Sequence, residues 1–304
     1  MALGLHAFLD VPPSVRVYLD NGSFYFLARP DQPSLEGYAE FVLQAKPDWY
    51  PVPRDFIPSP SMSLAEQRGC LEQTMAVNAA FSADGFVPVV HVSQVIDEYI
   101  VAARGHVGFA AKPAVALGGI VPNLLRTPKA RPYREILASV QRACLAFADK
   151  ELHLFGVGGT ATLHLAALLG MDSIDSSGWR NRAARGLVQL PGSGDRLVAN
   201  LGRWRGRVPS EDEWQRLSVC ACPACQRDGV TGLCANGRAG FDHRATHNLW
   251  VLLQEADAVE THLHRGTYAE WHAGHLDNSI YLPLIGETLH SVTHSSKRDR
   301  TDEH

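Results

Sequence analysis

Three cysteines and a histidine carry metal-ligand spacing: Cys220-Ala-Cys222-Pro-Ala-Cys225, with His247 twenty-two residues further on. Thiolates two and three residues apart can fold around one ion, and a distant histidine on a helix completes a tetrahedron. A closed Cys3His set leaves no position for water, so its chemistry is structural. The runner-up is a catalytic zinc with an open position. Cys234 and His243 compete as ligands, because His243 shares a helical face with His247. Four of the six cysteines fall within fifteen residues of a 304-residue chain. That clustering reads as a metal site in a reducing compartment, not as a disulfide framework.

Three aspartates end apolar segments: Asp20 in VRVYLD, Asp55 in the proline-broken YPVPRD and Asp175 in DSID. Three carboxylates at strand ends, where barrel chemistry occurs, could be a metal triad or an acid/base set. Taken singly each is also an ordinary turn residue. Gly156-Val157-Gly158-Gly159 follows an apolar segment, but Ala161 stands where a dinucleotide fingerprint has its third glycine. The plainer reading is a tight loop that brings backbone close to a ligand. Between residues 180 and 207 lie seven arginines and one acid, Asp195, interleaved with Trp179 and Trp204. Guanidinium forks suit phosphates and aromatic faces suit unstacked bases, so the strip reads as a nucleic-acid surface. A solvated charge run is the bland alternative.

The elements that must hold these residues alternate. Short apolar runs at 15–20, 48–53, 86–92, 114–117, 151–155 and 172–175 read as strands. Helical patterns occupy 63–81, 132–148 and 161–169, the first opened by a Ser63/Glu66 capping box. Alternation of this kind means crossover units and a parallel sheet, and about six units suit an eight-stranded barrel. Residues 186–209, rich in Gly and Arg, read as an irregular excursion, and 247–263 as a helix. The polar stretch 294–304 reads as a disordered tail. Lys+Arg 28 against Asp+Glu 32 gives a net charge of −4, which excludes a wholly basic nucleic-acid binder while leaving a local strip. No signal peptide and no apolar run of membrane-spanning length is seen, so a cytoplasmic location is expected.

These pieces resemble the tRNA-guanine transglycosylase superfamily, over roughly residues 15–285. The segment from His153 to Gly186 resembles that family's strand, glycine loop, helix and strand leading to a nucleophilic aspartate. CACPAC followed by HNLW resembles its zinc subdomain, Asp20-Asn-Gly-Ser-Phe24 its first catalytic motif, and Gly118-Gly119-Ile120 its Gly-Gly-Leu loop. Ser23 and Tyr25 depart from the tRNA enzymes, as does His91 where a Gln-Gly-Gly loop is expected. These departures look more like the DpdA-type branch, which places 7-deazaguanine bases in DNA.

The resemblance implies a TIM-type (β/α)8 barrel over 1–290, with a zinc-binding subdomain at 218–250 and a tail at 291–304. It implies a structural Zn2+ held by Cys220, Cys222, Cys225 and His247. It implies exchange of guanine in DNA, with tRNA as the alternative, for a 7-deazapurine such as preQ0. Asp175 would be the nucleophile and Asp20 the acid/base. Asp55 would read the guanine edge, Phe24 and Phe155 would sandwich the base, Gly118 and Gly119 would offer backbone groups, and His91 would meet O6 or the 7-substituent. Arg180, Arg182, Arg185, Arg203, Arg205 and Arg207 would hold phosphates. A homodimer and other DNA-modification proteins are further expected partners. A non-catalytic binding paralogue, an unrelated zinc hydrolase and a Rossmann oxidoreductase are the competing classes.

Overall fold

A computed structural model describes residues 4–22, 34–51, 56–81, 83–124, 129–202, 204–277 and 279–299. The chain divides into two compact units, Met1–Phe155 and Gly156–His304.

In the first unit, α1 (Gly4–Leu9), α2 (Leu35–Ala45) and α3 (Leu64–Ala79) precede β1 (Val89–His91). Then come α4 (Ile96–Gly105), α5 (Val107–Ala110), β2 (Ala114–Gly118), α6 (Val121–Leu124), α7 (Tyr133–Ala146) and β3 (Glu151–Leu154). The capping box expected at the start of α3 is present: Ser63 accepts from Glu66 N, and the Glu66 carboxylate accepts from Ser63 N. β1 pairs in parallel with β2 (Val90 opposite Leu117), and β2 with β3 (Ala116 opposite His153). Every residue of β1 and β2 is buried, as parallel strands covered on both faces require. Two isolated parallel bridges, Tyr18 with Trp49 and Tyr50 with Phe86, continue the same succession of parallel segments. Among the described residues, the runs at 15–20 and 48–53 therefore contribute isolated bridges, at Tyr18, Trp49 and Tyr50, where full strands were expected. Val17 N donates to the Asp48 side chain at 2.6 Å instead of to a ladder carbonyl, and Pro51 lacks the N–H a longer strand needs. The core beneath these segments contains Tyr38, Tyr50, Phe86, Val89 and Ala116, with Trp49 and Phe155 packed against it.

The second unit contains α8 (Thr162–Leu168), β4 (Ser173–Ile174), α9 (Gly178–Ala184), β5 (Leu187–Gln189) and β6 (Asp195–Leu197). It continues with α10 (Glu211–Ser218), α11 (Pro223–Cys234), α12 (Gly237–His264), α13 (Tyr268–His275) and α14 (Leu282–Asp299). Part of the expected irregular excursion is ordered: β5 and β6 form an antiparallel hairpin, Val188 opposite Arg196. The reason is a buried ion pair. Arg196 donates through Nε and Nη2 to both oxygens of Glu213, at 2.8 and 2.6 Å. Glu213 also closes the capping box of α10 with Ser210. α12 opens at Gly237, ten residues before the expected start at 247. Its buried face runs through His243, His247, Val251 and Glu255, four residues apart at each step. Helical backbone covers residues 282–299, including most of the stretch read as a tail. No helix of the described residues is long and apolar enough to cross a membrane.

Candidate active site and metal centre

The glycine loop after β3 and the loop carrying Asp175 are built as one object. Gly156, in the left-handed region at φ 73°, turns its N–H toward Asp175 and donates to Oδ1 at 2.6 Å. Two residues on, Gly158 O accepts from the Ser176 hydroxyl at 2.9 Å. The same hydroxyl accepts from Gly178 N at 2.9 Å. A side chain at Gly158 would overlap Ser176 Cβ and Oγ, and one at Gly178 would overlap Arg182. The glycines thus permit close approach of two backbones, which answers the dinucleotide reading: their partners are the Asp175 loop. Arg182 in turn donates from Nε to Asp195 at 2.7 Å.

The four expected metal ligands converge. His247 Nδ1 lies 3.5 Å from Cys220 Sγ, 3.8 Å from Cys222 Sγ and 3.5 Å from Cys225 Sγ. All four ligand atoms lie within 4.8 Å of one another. Zinc bonds of about 2.3 Å to sulfur and about 2.0 Å to nitrogen give a tetrahedral edge of roughly 3.5 Å, so the donor set and its spacing fit that ion. Cys222 caps α11 by accepting from Cys225 N at 3.2 Å, with Pro223 at the first helical position. His247 donates from Nε2 to Gln189 O at 3.0 Å, which fixes the tautomer that leaves Nδ1 as ligand. Hydrogen bonding to Cys225 lowers Cys220 to about 3, and the hydrogen bond to Cys220 together with burial raises Cys225. Burial works against a charged His247, but hydrogen bonds to Cys220 and Cys222 outweigh it and raise it to about 9. Cys234 and His243 are not in the cluster: Cys234 is exposed, and the His243 ring fills the space over Gly232, with Asp228 Oδ2 at 3.5 Å.

The next residue, Asn248, accepts from Gln189 N at 2.7 Å. It donates to the carbonyls of Trp179 and Leu187, both at 3.1 Å. One side chain therefore ties α12 to β5 and to the start of α9. Buried Arg244 donates to the carbonyls of Ala183, Leu233 and Ala235, closing the ends of α9 and α11.

In the first unit, Asp20 is exposed and follows the Tyr18 bridge. Phe155 packs its ring on His153 at 4.8 Å and Tyr18 at 5.9 Å. Gly119 has φ 77°, and an added Cβ there would meet Val92 O at 3.0 Å. An added Cβ at Gly118 would stand 2.7 Å from His91 Nδ1. His91 is 0% exposed, lies edge-on to Tyr99, and is lowered by burial to about 3, so it is neutral. It backs the Gly118–Gly119 turn. Phe24, Asp55 and Arg203 lie outside the described residues.

The arginines are unequal. Arg182 engages Asp195, Arg207 reaches Glu213 at 3.1 Å, and Arg185 lies over the Trp204 ring at 4.4 Å. Arg180 and Arg205 are exposed. A second buried cluster was not foreseen. Glu255 Oε1 accepts from His164 Nε2 at 2.8 Å and His275 Nε2 at 2.7 Å, and Oε2 accepts from Gly192 N at 3.0 Å. Burial would raise this carboxyl, but the two histidine hydrogen bonds hold it below the ordinary range. No local motif joins these residues, so only the fold reveals them.

Residues 102–279 match the TGT family, described as Queuine tRNA-ribosyltransferase. The match spans more than half of the 304 residues, and the chain belongs to that family. The tRNA-guanine(15) transglycosylase of Pyrococcus abyssi (strain GE5 / Orsay) is 29% identical over 154 residues, 49% of this chain. The chain spans only 23% of that relative's length.

Proposed function

We propose that the protein is a guanine transglycosylase that replaces guanine in nucleic acid by a 7-deazaguanine base of the preQ0 type. The Asp175 carboxylate, held by the Gly156 N–H, is the observation that carries the reading in a chain of this family. Asp175 attacks C1′ of the target nucleotide, the C1′–N9 bond breaks, and guanine leaves. The incoming 7-deazapurine then attacks C1′ and releases the carboxylate. Two displacements through a covalent ester replace one difficult step, and an oxocarbenium-like centre suits a carboxylate nucleophile. Asp20 manages the proton of the departing and entering bases. Asp55 reads the guanine N1 and amine edge, Phe24 and Phe155 sandwich the ring, and the Gly118–Gly119 turn, backed by neutral His91, offers backbone groups. A (β/α)8 barrel built on the parallel segments would place these residues, as strand ends do in that architecture.

The Cys3His cluster holds a structural zinc ion, which cross-links α11, α12 and the loop before α11. Phosphates are held by the arginine strip: Arg180 and Arg205 directly, with Arg182, Arg185 and Arg207 set beside their own partners. The target base must leave its stack, which costs a few kcal/mol in a duplex. DNA is the preferred substrate, on the departures at Ser23, Tyr25 and His91. The tRNA reading is favoured by the name of the Pyrococcus abyssi relative, a tRNA-guanine(15) transglycosylase.

Mass spectrometry of nucleosides from DNA and from tRNA, each incubated with the protein and a 7-deazaguanine base, tests the reaction and separates the substrates. With guanine-containing oligonucleotide alone, the protein is expected to form a band stable to denaturing electrophoresis. Asp175→Asn is expected to abolish it. Base exchange persisting in Asp175→Asn removes the nucleophile assignment.

A further inference from the structure

We infer that Ser176 is a positioning residue that sets the aim of the Asp175 carboxylate; the inference rests on the transglycosylase reading and adds to it a residue that never touches substrate. The Ser176 hydroxyl has one proton, and it goes to Gly158 O at 2.9 Å. Its oxygen accepts from Gly178 N, also at 2.9 Å. The side chain therefore clips together two segments on either side of Asp175: the glycine loop and the first residue of α9. Gly158 and Gly178 both lack the Cβ that would prevent this approach. Gly156, whose N–H holds Asp175 Oδ1, belongs to the same loop that Ser176 grips through Gly158. When the clip opens, one of the ties that fix the donor relative to the backbone bearing the carboxylate is lost. A displacement near 1 Å at a reacting group costs on the order of a hundredfold in rate, while ground-state binding through distant phosphates is untouched.

The experiment compares wild type, Ser176→Ala and Ser176→Cys, the last keeping a weak hydrogen-bonding group on the same Cβ. Three quantities are read with a guanine-containing oligonucleotide as the probe: the equilibrium Kd by fluorescence anisotropy, the single-turnover rate of covalent adduct formation, and the carboxyl 13C resonance of Asp175, assigned by its loss in Asp175→Asn. For Ser176→Ala the expected result is a Kd within about twofold of wild type, an adduct rate reduced roughly 10- to 100-fold, and a displaced Asp175 resonance. Ser176→Cys is expected to recover part of the rate; it decides the question by the same readouts if the alanine variant fails to fold. An unchanged adduct rate, or a rate loss matched by an equal loss of affinity with the resonance unmoved, overturns the inference. If wild type itself forms no adduct, the transglycosylase reading fails, and the resonance still decides whether Ser176 positions Asp175.

Discussion

Gly158→Ala is the sharpest structural test of how the two loops are joined. The added methyl would overlap Ser176 Cβ and Oγ and stand 3.3 Å from Ser176 Cα. Carbon atoms settle at about 3.5–4.0 Å, and the obstructing atoms are a short side chain and its own backbone, which have no rotamer that clears them all. The loops must part. Overpacking of this kind costs about 1–3 kcal/mol, and at about 2–4 °C per kcal/mol for a unit of this size the melting temperature falls by roughly 2–12 °C. Gly159→Ala is the matched control. There the nearest atoms, Arg182 Nη2 and Thr162 Oγ1, are each 3.4 Å away, and the first is the end of a flexible side chain. Its melting temperature is expected within about 2 °C of wild type, in line with substitutions away from packed features. Adduct formation is expected to fall in Gly158→Ala and to hold in Gly159→Ala. Equal melting temperatures and equal adduct rates in the two variants refute the close-approach argument.

Cys222→Ser is expected to lower bound zinc from about one per chain toward none and to destabilise the second unit at the same time, checked by elemental analysis and urea unfolding. Acidification releases the same metal, because thiolates and a neutral imidazole are the ligating forms. Arg196 holds the Glu213 carboxyl down at about 2, against 4.5 when unfolded. A depressed carboxylate pKa adds stability that is complete above 4.5 and lost as pH falls toward 2, here up to about 3 kcal/mol. Urea midpoints in Glu213→Gln should therefore lose much of the wild-type pH dependence across that window. Glu255→Ala leaves His164, His275 and Gly192 N facing an empty acceptor position, and an unfolding loss of about 3–5 kcal/mol is expected, as for breaking a buried pair. Calorimetry showing less than about 1 kcal/mol would mean that the cluster rearranges without cost.

What was legible in the sequence was local or periodic. The Ser63/Glu66 capping box spans three residues and carries its own signal. The ligands Cys220, Cys222 and Cys225 declare themselves by spacing. Choosing His247 over His243 needed more, since one turn of helix separates them; the structure groups the His247 ring with the three thiols and packs the His243 ring over Gly232. The 186–209 stretch misled because its order comes from Glu213, which pairs with Arg196 seventeen residues away. The Glu255 cluster was illegible for the same reason, His164 lying 91 residues from its partner. Arginine count overstated the free charge of the strip: Asp195 is inside it, but Glu213 lies beyond its end and faces two of its members.

The His-Asn pair at 247–248 gives the metal centre a consequence beyond local stability. His247 faces the thiolates with Nδ1 and Gln189 O with Nε2. Asn248 then grips Gln189 N, Leu187 O and Trp179 O. Trp179 is the second residue of α9, and Gly178 before it is held by Ser176, the neighbour of Asp175. Hydrogen bonds therefore run from the cysteine cluster to the loop of the carboxylate without leaving the second unit. Each link is short and buried or half-buried, so slack at one end cannot be absorbed by solvent-exposed side chains in between. A metal held by the cysteine cluster would in this way stiffen the Asp175 loop through backbone and side-chain hydrogen bonds alone.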